Sequence, residues 1–440
     1  MTKTLIGIFL GLISLSSLAQ SIDATRLFVK TNNPDQIKNW KHVSKVTPLF
    51  ANNYLLHTNN LEALTAKLRK NKVQFEYNRI AKKSQLPKTL PDTQKNSFSD
   101  FFLGPSFFND PEVAKIWSFS DAKNNGVSVN SYYLSPLSQQ KEPIVVSVVD
   151  TGVEYTHDDL QDNMWVNDIE IPNNNIDDDQ NGYVDDVYGI NTLQRNENGE
   201  ASGNPMPTHS HGTHVAGTIA ATQNNELGIA GIASTAKIMA IRTVPDRSDE
   251  TDADIIESFL YSAQNGAQII NCSFGKKHNE GGNIVNETIT HIGKEYNVLV
   301  FASAGNEYGR DIDIEPKYPA SFDSEYLVVV ASTNSRGSLS YFSNIGKKSV
   351  DIAAPGSKIY STVLNQGYGY KSGTSMATPT AVGVAAELWS NFPELTALQI
   401  KKILINSSVS VESFKNKLQA EGIIDLQTAV RYTLENYSSL

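Results

Sequence analysis

Cysteine is almost absent. With Cys272 the single one among 440 residues, no intramolecular disulfide can form, and stability has to come from the size of the core and from any bound ion. Cys272 lies in Ile269-Ile270-Asn271-Cys272-Ser273-Phe274-Gly275, a buried-strand pattern that predicts a packed small hydrophobe rather than a thiol nucleophile. Long apolar runs are scarce too. The stretch Leu5 to Ile13 is too short for a permanent span. Lys3 precedes it and Ser17-Leu18-Ala19 follows, which is the pattern of a removable secretory leader over residues 1–19. Residue 20 is Gln, which disfavours a lipid anchor, and no later segment is apolar enough to cross a bilayer. A secreted or periplasmic protein without a stable membrane anchor is expected. There is no internal repeat and no low-complexity tract, which excludes solenoids and disordered scaffolds.

Charge is short in one sign over each part of the chain. The formal net charge is −10, but residues 20–100 carry 14 Lys/Arg against 6 Asp/Glu, while 101–440 carry 22 against 41. A basic front and an acidic body argue against nucleic-acid binding by the body. They fit a basic segment that docks on an acidic one before removal. Between them, residues 84–104 hold Lys, Pro, Ser and Asp with little periodicity, which predicts an exposed linker and a processing site.

Three segments carry chemistry. Ile144 to Gly152, IVVSVVDTG, is a continuous apolar run ending in a carboxylate, so Asp150 is expected at the carboxyl end of a strand buried on both faces. His209 to Ala221, HSHGTHVAGTIAA, opens a helix beside histidines. Gly373 to Pro379, GTSMATP, places Ser375 at a helix start, where unpaired N–H groups and the dipole favour developing negative charge. Ser, His and Asp are the nucleophile, general base and orienting carboxylate of acyl transfer. His209-x-His211-x-x-His214 also admits a zinc reading, but Thr213 stands where a binuclear pattern would want a carboxylate.

The strings DTGVEYTHDDL, HGTHVAGTIAA, FASAGNE and SGTSMATP together resemble the subtilisin family of serine proteases, in its order and spacing, over about residues 110 to 430. The Asp150, His211, Ser375 order is that of subtilisin. The resemblance implies that these three are catalytic, that His211 is the base, and that Asn306 together with the Ser375 N–H forms an oxyanion hole. It further implies that Ser273, Phe274 and Gly275 with Ser303, Ala304 and Gly305 wall a cleft for protein or peptide substrates. Their small side chains leave room for a large apolar P1 group, and Lys276-Lys277 is expected to add basic charge at the rim, with Glu307 opposing it. No cofactor is implied for catalysis.

Apolar runs at 144–149, 238–244, 268–272, 297–302 and 326–331, alternating with helical patterns at 211–221, 252–264 and 283–296, predict an α/β fold. It is a three-layer parallel sheet with helices on both faces. Residues 105–440 are expected to form this catalytic domain, ending in a helix Leu426 to Asn436, and to act as a monomer. Residues 20–83, with strands at 25–30, 54–57 and 73–77 and a helix at 61–70, predict a small α+β unit that resembles the inhibitory propeptide of a zymogen.

Asn173 to Asn191 carries Asp177, Asp179 and Asn181 at alternate positions, then Gly182, the Tyr183 carbonyl and the pair Asp185-Asp186. This follows the logic of a calcium loop, but Tyr188 stands where an EF-hand has its glutamate. A structural Ca²⁺ site of Asp177, Asp179, Asn181 and Tyr183, closed by Asp185 or Asp186, is expected. The resemblance to subtilisins implies a weaker second site of Asp159 and the Asn225 to Ile229 loop, which is one residue longer and shifted here.

Overall fold

The computed structural model describes residues 22–79, 106–138, 141–246, 250–276 and 282–439, and the chain divides into two compact units, Met1–Lys82 and Lys83–Leu440. The expected leader, the linker 84–104 and Lys277 lie outside the described residues.

In the first unit, β1 (Ile22–Lys30), β2 (Val43–Pro48), β3 (Asn53–Thr58) and β4 (Gln74–Arg79) form a sheet in the order β2-β3-β1-β4, with antiparallel pairings throughout. The helix Leu61–Lys70 starts on Asn60, whose side chain accepts the Ala63 N–H, and its Leu64 and Leu68 pack with Leu27, Val29 and Leu56. Sequence reading misses two elements. β2 leaves no residue fully buried, so it shows no apolar alternation, and the one-turn helix Pro34–Lys38 buries Ile37 alone.

In the second unit the strands are β5 (Ile144–Asp150), β6 (Gly189–Arg195), β7 (Ala201–Ser202), β8 (Ala236–Arg242), β9 (Ile269–Cys272) and β10 (Leu299–Ser303). They continue with β11 (Leu327–Thr333), β12 (Ile352–Pro355), β13 (Ile359–Val363), β14 (Gly367–Lys371), β15 (Val409–Ser410) and β16 (Gly422–Ile423). β13 and β14 pair as a hairpin, and the other ten form one sheet in the order β15-β16-β12-β11-β10-β9-β5-β8-β6-β7. From β16 across to β6 every pairing is parallel; only the two-residue edges β15 and β7 run antiparallel. Val146, Val148, Ile238, Ile269, Leu299 and Val328 are buried because strands covered on both faces have no wet side.

Strand ends differ from expectation where other partners take the backbone. The run expected to continue to Val244 stops at Arg242, since the Thr243 and Val244 N–H groups turn to donate to the Asp150 carbonyl at 2.9 and 3.0 Å. Asn297 is not a strand residue; it ends the helix Ile284–Tyr296 in the left-handed region at φ 58°.

The chain leaves β5 toward β6 and β8 on one side and returns to build β9, β10, β11 and β12 on the other. The β5/β9 junction is therefore the switch point where open α/β sheets hold ligands. The helix Thr374–Asn391, buried along nearly its whole length, packs on the sheet with its N-terminus at this junction.

Candidate active site

Asp150 ends β5 at 1% exposure. The Thr151 N–H donates to its Oδ1 at 2.7 Å, and His211 Nδ1 lies 2.8 and 2.9 Å from its two oxygens. A carboxylate only accepts, so in the neutral ring the proton sits on Nδ1 and Nε2 keeps its lone pair. His211 Nε2 is buried and has no hydrogen-bond partner.

Local packing sets that geometry. The Thr151 hydroxyl accepts the Gly212 N–H at 3.0 Å and donates to the His209 carbonyl at 3.1 Å, while His209 Nδ1 accepts the His211 N–H at 3.2 Å. The helix His211–Ala220 thus begins hard against β5. A Cβ on Gly212 would lie 2.2 Å from the Gly152 carbonyl oxygen and 3.1 Å from Asp150 Cβ, so only glycine allows the approach.

Ser375 is the second residue of its helix. Pro379, four residues on, has no N–H, which leaves the Ser375 carbonyl without its helical donor. Ser273 fills the gap: its Oγ donates to the Ser375 carbonyl, and the Ser375 Oγ donates to the Ser273 carbonyl, each at 3.0 Å. Val149 pairs with Cys272 across β5 and β9, so the next residues, Asp150 and Ser273, stand level at the strand ends. In this resting geometry the serine hydroxyl points to the Ser273 carbonyl and leaves His211 Nε2 bare.

Asn306 follows β10. Its Oδ1 accepts both the N–H and the hydroxyl of Thr374 at 2.9 and 3.0 Å, and because an N–H can only donate, this fixes the amide so that Nδ2 is turned away from Thr374. A Cβ on Gly373 would lie 3.6 Å from both that Nδ2 and the Ser375 N, which locates the two donors on one patch. Thr374 Oγ1 also accepts the Gly305 N–H at 3.1 Å. Sequence reading passes over Thr374, though its place before the serine was the available signal.

Four other titratable groups feel the charge of Asp150 or His211, and each is shifted chiefly by burial. His214, fully buried, donates Nε2–H to the Ile359 and Gly369 carbonyls at 3.0 and 3.1 Å, and burial pushes its pKa down to about 3. Burial also lowers the His209 imidazole and the Lys371 ammonium, the latter opposed by Asp150, and raises the Cys272 thiol well above its usual value.

The two pocket segments end β9 and β10. Ser273, Phe274, Ser303 and Ala304 are buried, and the Ala304 N–H donates to the Val330 carbonyl at 3.0 Å. Lys276 does not charge the rim: its ammonium pairs with Asp252, with the two side chains 6% and 5% exposed. Nor do the glycines leave the expected apolar slot empty, since the Lys317 stem lies beside Gly275 and Gly305.

In the acidic loop, carboxylate oxygens of Asp177, Asp179 and Glu170 all lie within 4.8 Å of one another. Glu170 lies outside the motif and sequence reading does not find it. Asn181 sits inside the loop, its N–H shared by Asp177 and Asp179 at 3.0 Å each and its Oδ1 accepting the Tyr183 N–H at 2.8 Å. The Asn181 amide also bridges Asp179 Oδ2 and Asp186 Oδ2 at 3.0 Å each, and Tyr261 donates to Asp186 at 2.5 Å. Burial raises Asp186 to about 6. The Asp185 carboxylate is taken by the Asn174 and Asn175 N–H groups. Asp159, also raised to about 6 by burial, accepts from Asn225 Nδ2, the Ile229 N–H and the Tyr368 hydroxyl.

A parallel sheet with a carboxylate–imidazole pair and a helix-borne serine at its switch point defines an open α/β class of fold. The chain belongs to the subtilase family, whose model matches residues 141–427. It is 31% identical over 365 residues to subtilisin-like protease 1 of Plasmodium berghei, covering 78% of this chain and 57% of that one. It is 32% identical over 298 residues to the halolysin-like extracellular serine protease Nep of Natrialba magadii, covering 67% and 49%. The chain spans about half the length of the curated relatives it matches. Among solved structures, a protease from Pseudoalteromonas arctica superposes with a TM-score of 0.60 at 25% identity, covering 74% of this chain and 99% of that one.

Proposed function

We propose that this chain is a serine endopeptidase, secreted or periplasmic and made as a zymogen, that cleaves peptide bonds through an acyl-enzyme on Ser375. The observation that carries it is the bare, buried His211 Nε2, oriented by Asp150 and standing at the strand ends that also hold Ser375 and Asn306. Rotation about χ1 exchanges the Ser375 hydroxyl's partner from the Ser273 carbonyl to that nitrogen. The oxygen then attacks the scissile carbonyl carbon while its proton passes to Nε2. The oxyanion takes hydrogen bonds from Asn306 Nδ2 and from the Ser375 N–H, which lies in the first helical turn and has no intrahelical acceptor. The proton on Nε2 goes to the leaving amine, and water, deprotonated by the same nitrogen, releases the acid and restores the serine.

Residues 20–83 act as the inhibitory propeptide, and self-cleavage in residues 84–104 releases it. Among the described residues no helix is long and apolar enough to cross a membrane, compatible with export of a monomer acting on protein or peptide substrates. The oxygen donors of Glu170, Asp177 and Asp179 suit a hard cation such as Ca²⁺, with Asn181, Tyr183 and Asp186 supporting the loop. Bound there, the ion would screen the carboxylates from one another and stabilise the loop.

The Ser375 to Ser273 hydrogen bond also fits a silent scaffold in which the serine never turns. A fluorophosphonate probe decides: labelling of the wild type but not of Ser375→Ala, with the Ser375→Ala precursor left uncut, is expected. Failure of the folded mature protein to react would sink the peptidase reading.

A further inference from the structure

We propose that Lys317 is a specificity-determining residue that makes this enzyme select a P1 side chain ending in an acceptor oxygen, glutamine or glutamate, over a large apolar one; this rests on the peptidase reading above. Gly275 and Gly305, one from each of the two segments expected to wall the cleft, both border the Lys317 stem. A Cβ on Gly305 would lie 2.6 Å from Lys317 Cδ, and one on Gly275 would lie 3.1 Å from Lys317 Cε. The next residue, Tyr318, exchanges N–H···O bonds of 2.8 Å with Lys276, so the segment bearing Lys317 is bound to the edge of the first pocket segment. Four methylenes therefore take up depth that the glycines would otherwise leave to substrate.

At the end of that stem the ammonium lies 2.6 Å from Glu307 Oε1, with the side chains 10% and 17% exposed. Glu307 is itself held. Its N–H donates to Asn344 Oδ1 at 2.9 Å, and its Oε2 takes Asn344 Nδ2 at 2.5 Å. Each carboxylate oxygen already accepts one hydrogen bond and the carboxylate charge is neutralised at 2.6 Å, while Glu307 uses one of the ammonium's three N–H donors, so a third group that brings an acceptor oxygen finds donors at the head of the stem. A phenylalanine or leucine at P1 would cover this pair and replace none of its hydration, and a lysine or arginine would meet a cation. A glutamine or glutamate oxygen completes the ammonium's hydrogen bonding.

The test is a set of otherwise identical peptides differing at P1 as Gln, Glu, Phe or Lys, cut by the mature protein whose Ser375 has been shown to react with a fluorophosphonate. The Gln and Glu peptides are expected to lead Phe in kcat/KM by roughly tenfold or more, the scale set by leaving a buried donor without an acceptor. Lys317→Met should reverse the order. Because that change strands Glu307, the double variant Lys317→Met with Glu307→Gln is measured alongside, and the reversal must appear in whichever of the two folds. A wild type that reacts with the probe yet cuts the Phe or Lys peptide fastest overturns the role of Lys317 and spares the peptidase reading. No reaction with the probe and no cleavage of any peptide sinks both.

Discussion

His214 should make the protein lose stability on mild acidification by an amount that can be isolated. The ring sits one turn after His211 on the same helix, fully buried, and its Nε2–H reaches the Ile359 and Gly369 carbonyls of the β13–β14 hairpin. Burial, then the charges of Lys371 and His211, push its pKa to about 3; the two carbonyls oppose this without overcoming it. An unfolded histidine titrates near 6.5. Below that pH the unfolded chain binds a proton that the folded chain refuses, so stability is full above about 6.5 and falls toward about 3 as pH drops, by about 1.4 kcal/mol per pH unit. From pH 7 to pH 5 the loss from this residue alone is about 2 kcal/mol. His214→Gln keeps an N–H donor near the Nε2 position and removes the titration. Both proteins, made on Ser375→Ala to prevent self-digestion, are to be unfolded in urea at pH 7, 6 and 5. All other titrations are shared, so the gap between the two curves should close by about 2 kcal/mol over that range. Parallel curves would refute the assignment of His214 as a neutral, buried ring.

Thr374→Val removes the hydroxyl but not the N–H that pins Asn306, so kcat should fall about tenfold with KM little changed, less than the hundred- to thousand-fold known for losing the oxyanion donor in subtilisin itself; an unchanged kcat counts against the pinning. If the acidic loop holds calcium, the melting temperature should rise with calcium concentration, and the Asp177→Ala, Asp179→Ala double variant should lose most of that response. A response that survives moves the site to Asp159. Residues 20–83 added in trans should inhibit the mature enzyme, with onset slowing between low and physiological salt as charge attraction is screened. An association rate independent of salt removes the electrostatic part of that account.

The sheet was legible because its strands are continuous apolar runs, and continuous runs mean burial on both faces. The helices Leu61–Lys70, Asp252–Gln264 and Leu426–Asn436 were readable to the residue from their periodicity. What sequence could not give was set by partners remote in the chain. The end of β8 depends on the Asp150 carbonyl, 93 residues before Thr243, and nothing in Thr243-Val244 announces it. Lys276 reads as an exposed charge until Asp252 is found beside it. Glu170 precedes the acidic motif by a loop whose turns, with left-handed residues at Asn173 and Asn175, decide where its carboxylate lands. Lys317 was invisible for the same reason: its stem reaches Gly305 only because the Tyr318 backbone is bonded to Lys276.

The placement of Ser375 shows how a local violation of helix rules serves the site. Proline inside a helix costs a hydrogen bond, and here the orphaned carbonyl belongs to the serine itself. Satisfying it with the Ser273 hydroxyl ties the first turn of a buried helix to the end of β9, level with Asp150 on β5. Helix-to-strand distance is then fixed by a side chain rather than by packing alone. Ser273→Ala should therefore shift the serine relative to His211 and lower kcat while leaving KM largely unchanged. Loss confined to KM would mean that Ser273 serves only to wall the substrate cleft.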